Sequence, residues 1–198
     1  MNKWHHASTI IVGITSNIIE TYDLSIYPFF SAYLIKVFFP FQATYTSLLS
    51  ISSIFLFGYL SRPIGSLVFG YIGDYYGRKK ALILSGLLMV IATAAIGMLP
   101  TFQSIGYFAP ILLLILRVSQ GLSFGGEYTG SVIYLVEHAE ESKKNVLGSF
   151  AAMGSNLGIL ISSLVCLMMT YFFADQEVGQ RLWRIPFLLS LLFAFISF

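Results

Sequence analysis

The stretch GDYYGRKKA, residues 73–81, indicates how this chain folds. It sets an aspartate, three consecutive cations and two glycines between two long segments that are almost wholly apolar. Each flanking segment is about as long as the roughly 20 helical residues that cross a bilayer core. We therefore interpret the stretch as a short polar turn between two membrane helices.

The composition of the whole chain supports this interpretation. Of its 198 residues, 57% are hydrophobic and 10% are charged, and the mean hydropathy is +0.80. A soluble domain usually carries about 25% charged residues. A chain this apolar cannot cover its surface with polar groups, so we predict an all-α protein embedded in the lipid bilayer, without a nucleic-acid partner. The three histidines are not spaced as metal ligands, so we expect no metal site.

Polar links divide the chain into six candidate membrane helices that form a single domain over residues 1–198. Strands are disfavoured because the apolar runs are long and do not alternate. The last candidate is shorter than the roughly 20 residues that a span needs, so we expect the sixth helix to be truncated. The candidate ranges are about 8–36, 45–73, 80–99, 105–136, 144–173 and 183–198.

The distribution of lysine and arginine among the links predicts the orientation, since cytoplasmic links carry more of these residues. With the N-terminus inside, the outer side holds Lys36, Arg181 and Arg184. We therefore predict that both termini are cytoplasmic. The larger cytoplasmic group is Lys3, Arg78, Lys79, Lys80, Lys143 and Lys144.

Charged residues also fall inside the predicted spans, nearer the middle of the membrane than its surfaces. Each costs about 2.5–3.5 kcal/mol at a helix centre, so they should face a bundle interior or a wet cavity. Buried ion pairs that only fix helix packing are one explanation. Three acids meet two bases, however, and the remaining acid is suited to carry a proton. These residues are Glu20, Asp23, Arg62, Arg117 and Glu127.

Helical spacing places neutral side chains beside these charges. Residues three or four positions apart share a helix face, so Asn17 and Tyr27 extend the face of Glu20 and Asp23. The fourth span carries a second polar stripe, formed by Arg117, Gln120, Phe124, Glu127 and Ser131.

Glycines are frequent on the second, fourth and fifth spans. In lipid, small residues let helix backbones approach closely. Static packing and sliding contacts both need such residues, so the sequence leaves both open. The glycines are Gly65, Gly70, Gly73, Gly121, Gly125, Gly126, Gly130, Gly148, Gly154 and Gly158.

The stretch GYIGDYYGRKK, residues 70–80, resembles the signature between helices two and three of the major facilitator superfamily. Tyr75 stands where that signature usually has a base. RVSQG, residues 117–121, resembles the fourth-helix signature, and YLVEHAEESKKN, residues 134–145, resembles the acidic end of helix four, with Glu137 in the acid position. The residues that match the first signature are Gly70, Asp74, Gly77, Arg78 and Lys80.

Four dispersed blocks narrow the resemblance to the metabolite:proton symporter family. That family contains carriers of proline and betaine, α-ketoglutarate, citrate and shikimate. The resemblance implies the N-terminal six-helix half of a twelve-helix transporter in a bacterial inner membrane, with a C-terminal half as its partner. The blocks are SNIIETYDLSIY (16–27), RPIGSLVFGYIGD (62–74), QGLSFGGEY (120–128) and WRIPFLLS (183–190).

The same resemblance implies a gate on the cytoplasmic side. Asp74 would meet a helix N-terminus of the other half, where the helix dipole favours an anion. Arg78 would reach Glu137, while Gly77 would permit a tight turn and Gly70 a close approach. The full set of gate residues would be Gly70, Asp74, Gly77, Arg78, Lys80 and Glu137.

The side chains within the spans suit a small charged metabolite and a proton, without any other cofactor. Arg62 and Arg117 suit a carboxylate, whereas the acids and tyrosines suit a quaternary amine. A zwitterion such as proline or betaine would satisfy both, and an organic acid would satisfy the first. The candidate substrate and proton residues are Asn17, Glu20, Tyr22, Asp23, Tyr27, Arg62, Arg117, Gln120 and Glu127.

One alternative is a fragment or split-gene remnant without transport activity of its own. In a lone half, the charged faces would have no opposing wall and would meet lipid or a second copy. We expect this of the faces that carry Glu20, Asp23, Arg117 and Glu127.

A remote alternative is an intramembrane serine protease. GLSFG, residues 121–125, offers Ser123 as a nucleophile, which would need a histidine base nearby. His138 lies about 22 Å away along the helix. We therefore expect no enzymatic activity.

We predict that residues 74–80 and 138–145 face the cytoplasm and that residues 37–44, 100–104 and 174–182 face outward. Single cysteines at Lys79 and Gln176, in a Cys166→Ser background, should react with a membrane-impermeant thiol reagent from opposite sides, because the Lys/Arg asymmetry fixes the orientation. Labelling from the same side would contradict the six-span arrangement.

Overall fold

The computed structural model describes residues 3–137, 144–174 and 177–197, and the regular structure in these ranges is helical. A π-helical segment, Val178–Leu182, precedes the last helix. The helices are α1 (Lys3–Phe29), α2 (Ser31–Phe38), α3 (Thr44–Leu60), α4 (Arg62–Tyr76), α5 (Arg78–Met98), α6 (Phe102–Ile105), α7 (Phe108–Glu137), α8 (Lys144–Phe172) and α9 (Arg184–Ser197).

Four helical stretches of the described residues are long and apolar enough to cross a membrane. The predicted first range instead holds α1 and α2, which are separated at Phe30, and the last range holds the 14-residue α9. The total of six spans and the truncation of the sixth therefore stay predictions. The four stretches are Tyr45–Tyr76, Arg78–Met98, Phe108–Ile133 and Lys144–Phe172.

The second apolar stretch is interrupted at Ser61, between α3 and α4. Pro63 stands in the first turn of α4, where a missing backbone N–H is tolerated. The Ser61 hydroxyl donates to the carbonyl oxygen of Gly58 at 2.7 Å and to that of Val118 at 3.0 Å. The hydrogen bond to Val118 therefore holds the interruption against α7.

Glycines bring α7 against α3 and α4 at backbone contact. A Cβ atom added to Gly121 would lie 1.8 Å from the Gly58 oxygen, and one added to Gly125 would lie 2.0 Å from the Arg62 oxygen. Any side chain at these two positions would force the helices apart. By contrast, a Cβ atom at Gly70 would meet nothing within 4 Å.

The crossing of α1 and α8 uses the same device. A Cβ atom added to Gly158 would lie 2.4 Å from the Ile18 oxygen, and one added to Gly154 would lie 2.8 Å from the Ile14 oxygen. The glycines at both crossings are therefore required for packing in this arrangement of the helices.

Aromatic side chains join α1, α2 and α9 at the other end of α1. Phe38 meets the Trp183 ring edge-to-face at 5.7 Å, and Trp183 meets Phe187 at 6.1 Å. The Tyr22 hydroxyl donates to the Pro186 carbonyl oxygen at 2.8 Å. This cluster fixes α9 against α1.

The charged residues of α1 and α7 lie inside the bundle. Glu20 and Asp23 have no exposed surface, while Arg117 is 1% exposed and Glu127 is 4% exposed. The expectation that these residues would meet lipid or a second copy in a lone half is therefore wrong. Helical spacing identified the faces, but their burial comes from α5 and α8 packing against α1 and α7.

We predict that Gly121→Ala destabilises the protein by about 1–3 kcal/mol, because the added methyl group overlaps the Gly58 carbonyl. Gly70→Ala is the matched control, since its methyl group would enter open space. Thermal unfolding in detergent should show a lower Tm for the first variant alone. Equal Tm values for the two variants would contradict the close crossing.

Candidate functional site

Arg117 lies at the centre of the buried polar cluster. Its guanidinium carbon stands 4.0 Å from the centre of the Tyr27 ring and 5.3 Å from that of Phe55. Its Nη1 donates to Gln120 Oε1 at 2.7 Å, and Gln120 Nε2 donates to Thr93 Oγ1 at 2.7 Å. Side chains from α1, α3, α5 and α7 thus converge on one cation.

Asp23 is a buried acid that interacts with Arg117. Its carboxylate interacts electrostatically with Arg117 and Glu127. Within the described residues, neither carboxylate oxygen has a hydrogen-bond partner of normal geometry. The Thr93 hydroxyl lies beside it but donates to the Met89 carbonyl oxygen at 2.9 Å. Asp23 is therefore a buried acid whose oxygens are open to a proton.

Glu127 forms a second polar group together with α1. Its Oε1 accepts a short hydrogen bond from the Ser16 hydroxyl, whereas Oε2 is buried without a hydrogen-bond partner in the described part of the chain. One turn after Glu127 on α7, Ser131 pairs with the neighbour of Ser16: Asn17 Nδ2 donates to Ser131 Oγ at 3.0 Å, and the Ser131 hydroxyl donates back to Asn17 Oδ1 at 3.2 Å.

Arg62 lies nearer the surface than Arg117. It begins α4, it is only partly buried, and its guanidinium carbon stands 3.9 Å from the ring centres of both Tyr59 and Phe124. It also interacts electrostatically with Glu20. Since Tyr59 is 53% exposed, this aromatic clamp reaches the surface of the chain.

The two candidate tyrosines are engaged within the bundle. The Tyr22 hydroxyl is bonded to α9, as described above, and the Tyr27 hydroxyl donates to the Ile51 carbonyl oxygen at 3.1 Å. The Tyr27 ring faces Arg117. In this structure both side chains therefore join helices, and the cation at Tyr27 is an arginine of the chain itself.

The turn after α4 contains the candidate gate. Gly77 has a φ of 99°, a conformation that side-chain-bearing residues rarely adopt. Arg78 Nη2 lies 2.8 Å from Asp74 Oδ1, and the Asp74 side chain is 63% exposed. Lys80 is exposed, and the side chain of Glu137 lies outside the described residues.

Four residues of the site were absent from the sequence-based set, namely Ser16, Phe55, Tyr59 and Thr93. Ser16 precedes Glu20 by four positions, so helical spacing places it on the acidic face, and that signal was available. Thr93 and Phe55 lie in apolar segments without any distinguishing pattern. Only the packing of α5 and α3 against α7 brings them to the cluster.

The family described as "Sugar (and other) transporter" matches residues 8–198 of the chain. The chain belongs to this family of the major facilitator superfamily. Ser123, the candidate protease nucleophile, donates its hydroxyl to the Ser85 carbonyl oxygen and so joins α7 to α5. Membership in a transporter family and this packing contact both speak against the protease alternative.

The chain is also similar in sequence to curated carriers of small metabolites. The chain is 40% identical over 185 residues to a candidate proline/betaine transporter of Staphylococcus aureus (strain COL). It is 40% identical over 188 residues to the alpha-ketoglutarate permease of Escherichia coli (strain K12), covering 94% of the chain and 44% of the relative. The proline/betaine transporter of Salmonella typhimurium (strain LT2) is 36% identical and is covered to 36%.

This facilitator chain spans less than half the length of these relatives. Its fold matches the structure of the proton:xylose symporter XylE bound to 6-bromo-6-deoxy-D-glucose, with a TM-score of 0.86 and 18% identity. The match covers 100% of the chain and 45% of XylE. A partially occluded, inward-open XylE from E. coli matches with a TM-score of 0.87 and 17% identity, covering 97% of the chain and 48% of XylE.

Proposed function

We propose that this chain is the N-terminal half of a proton-coupled symporter for a small metabolite, working by alternating access in a bacterial inner membrane with both termini cytoplasmic. The observation that carries the proposal is the buried Asp23 carboxylate beside Arg117, in a chain whose family transports solutes. Protons are the coupling ion, and no other cofactor is required.

Charge balance inside the bundle supports proton coupling. Arg62 interacts with Glu20, whereas Arg117 interacts with Asp23, and Asp23 in turn interacts with Glu127. With both of these acids ionised, the interior around Arg117 holds one negative charge in excess. Binding one proton removes that excess, which is favourable in an apolar interior.

In this proposal, Arg62 is the residue that binds the substrate. A planar guanidinium suits a carboxylate, and its two flanking rings would offer an apolar surface to the rest of a small solute. Arg117 is enclosed by its neighbours and does not reach the substrate. Its charge instead affects whether Asp23 holds a proton. The relatives' names point to proline, betaine or α-ketoglutarate, each of which carries a carboxylate.

The turn after α4 serves as the cytoplasmic gate. The Asp74–Arg78 ion pair is exposed, so its stabilising effect on this half alone is small. Gly70 faces open space about one turn before Asp74. Both features fit a surface that closes against the C-terminal half in one state of the transport cycle and opens in the other.

A non-transporting half is the second candidate, because the chain matches less than half of each relative. Uptake assays in liposomes would compare the 198-residue chain alone with the chain joined to a C-terminal half. We expect saturable uptake of proline, betaine or α-ketoglutarate only in the joined form. Failure of every joined form, with normal membrane insertion, would favour the non-transporting candidate.

We predict that Asp74→Asn and Arg78→Ala each reduce uptake by the joined form roughly 5-fold or more, the usual size of a coupling between sites. Membrane abundance should be unchanged, because both residues lie at an exposed turn. Lys79→Ala is the matched control on the same turn. If the variant with both gate changes shows normal uptake, the turn after α4 serves only to fix the topology and is not a gate.

We predict that at least one of Glu20→Gln, Asp23→Asn and Glu127→Gln abolishes uphill uptake but preserves substrate exchange. An amide keeps hydrogen-bonding capacity and loses the ability to carry a proton. Asp23→Asn is expected to have the largest effect, since Asp23 interacts with Arg117. Accumulation against a gradient in all three variants would place the coupling site elsewhere.

A further inference from the structure

The contact between α1 and α7 carries a row of polar groups that extends beyond Asp23. The two helices are antiparallel: Asp23 lies at the level of Arg117, Ser16 at that of Glu127, and Asn17 pairs with Ser131. Seven residues of helix separate Ser16 from Asp23, a rise of about 10 Å. The row therefore leads from the cluster centre toward the N-terminal end of α1.

Glu127 occupies the middle of this row and is distinct from the Arg117 cluster. Its side chain is 4% exposed, one oxygen is held by Ser16, and the other is buried without a hydrogen-bond partner in the described residues. An acid kept in this state is ready to accept a proton at its open oxygen. Asp23 interacts with it electrostatically, so the charge of one acid affects the other.

We propose that Glu127, positioned by Ser16, is a second station on a proton path that runs from Asp23 along the α1–α7 contact toward the N-terminal end of α1. This proposal rests on the proposed symport and assigns different roles to two of its acids. Asp23 exchanges its proton in response to Arg117 and the substrate. Glu127 passes that proton on and does not touch the substrate.

The step is a transfer between two carboxyl groups. The O–H bond of the Asp23 carboxylic acid breaks and its proton passes to water between the two acids, and that water gives up a proton to the open Oε2 of the Glu127 carboxylate. The Asp23 carboxylate that remains is stabilised by Arg117, while Ser16 holds Oε1 of the new acid. Glu127 then passes the proton along the buried Asn17–Ser131 pair, which offers both a donor and an acceptor, toward water at the N-terminal end of α1.

Among the described residues, the charge that interacts with Glu127 is Asp23. The other charges within the packed helices are Glu20 on α1, Arg117 on α7 and Arg62 on α4, of which Arg62 interacts with Glu20. The neighbouring helices α5 and α8 carry their charges in their first turns, at Arg78, Lys79, Lys80 and Lys144.

The test uses the 198-residue chain in lipid nanodiscs, because the described row is built by this chain alone. Infrared spectroscopy would follow the C=O band of protonated carboxyl groups as the pH is changed. Asp23→Asn and Glu127→Gln should each remove a different titrating component. Glu177→Gln, an exposed acid near α9, is the control for the loss of an acid.

Ser16→Ala should move the titration midpoint of the Glu127 component by about one pH unit, the effect of losing one hydrogen bond to a single protonation state. Ser16→Thr should restore the wild-type midpoint, and Ser25→Ala, a change on the same helix, should have no effect. If Ser16 has only a structural role, Ser16→Ala will change neither titration midpoint. That result would overturn the positioning role of Ser16.

Absence of any component that Glu127→Gln removes would overturn the relay itself. If that variant does not fold, Ser16→Ala decides alone, because a midpoint unchanged by it is also incompatible with the proposal. The band can titrate in two components even when the joined form transports nothing. Failure of the relay and failure of the proposed symport are therefore separate results.

Discussion

The burial of the Arg117 guanidinium is the constraint on which the rest of the bundle depends. A cation in an apolar interior is tolerated only when polar and aromatic partners replace its hydration. Here Tyr27, Phe55 and Gln120 supply these partners from different helices, and Thr93 orients the amide of Gln120. Displacing any one of these helices would leave the cation poorly solvated, so the cluster fixes their relative positions.

The glycine crossing makes this arrangement possible. Gly121 lies one turn after Arg117, and a Cβ atom at Gly58 would lie 2.9 Å from the Arg117 carbonyl oxygen. Backbone contact at this level brings α3 close enough for Phe55 to reach the guanidinium. Packing and electrostatics are therefore coupled, because a wider crossing would also withdraw an aromatic partner from the cation.

Much of this site was predictable from the sequence, and the limit has a physical cause. Charges within apolar spans identified Asp23, Arg117 and Glu127, and helical spacing grouped Gln120 with Arg117. Spacing describes one helix at a time, however, and it contains no information about the register between helices. The pairs Ser16–Glu127 and Gln120–Thr93, and the enclosure of the acids within one half, follow only from helix packing. The Asp74–Arg78 pair has a spacing of four residues that is visible in the sequence, but the resemblance directed Arg78 to Glu137 and Asp74 to the other half, so this pair was not predicted.

Symport requires that a proton bound within one half affects a substrate bound between the halves, and two physical links connect these places. The first is electrostatic: Arg62 interacts with Glu20, which shares a face of α1 with Asp23. The second is mechanical: the Ser61 hydroxyl, immediately before Arg62, is bonded to the Val118 carbonyl oxygen beside Arg117. Under the proposed symport, a proton on Asp23 weakens the acid's hold on Arg117, and any shift of α7 that follows is transmitted to Arg62 through this hydrogen bond. The interruption between α3 and α4 is thus placed where the charge state of the interior is able to move Arg62, the residue that we propose binds the substrate.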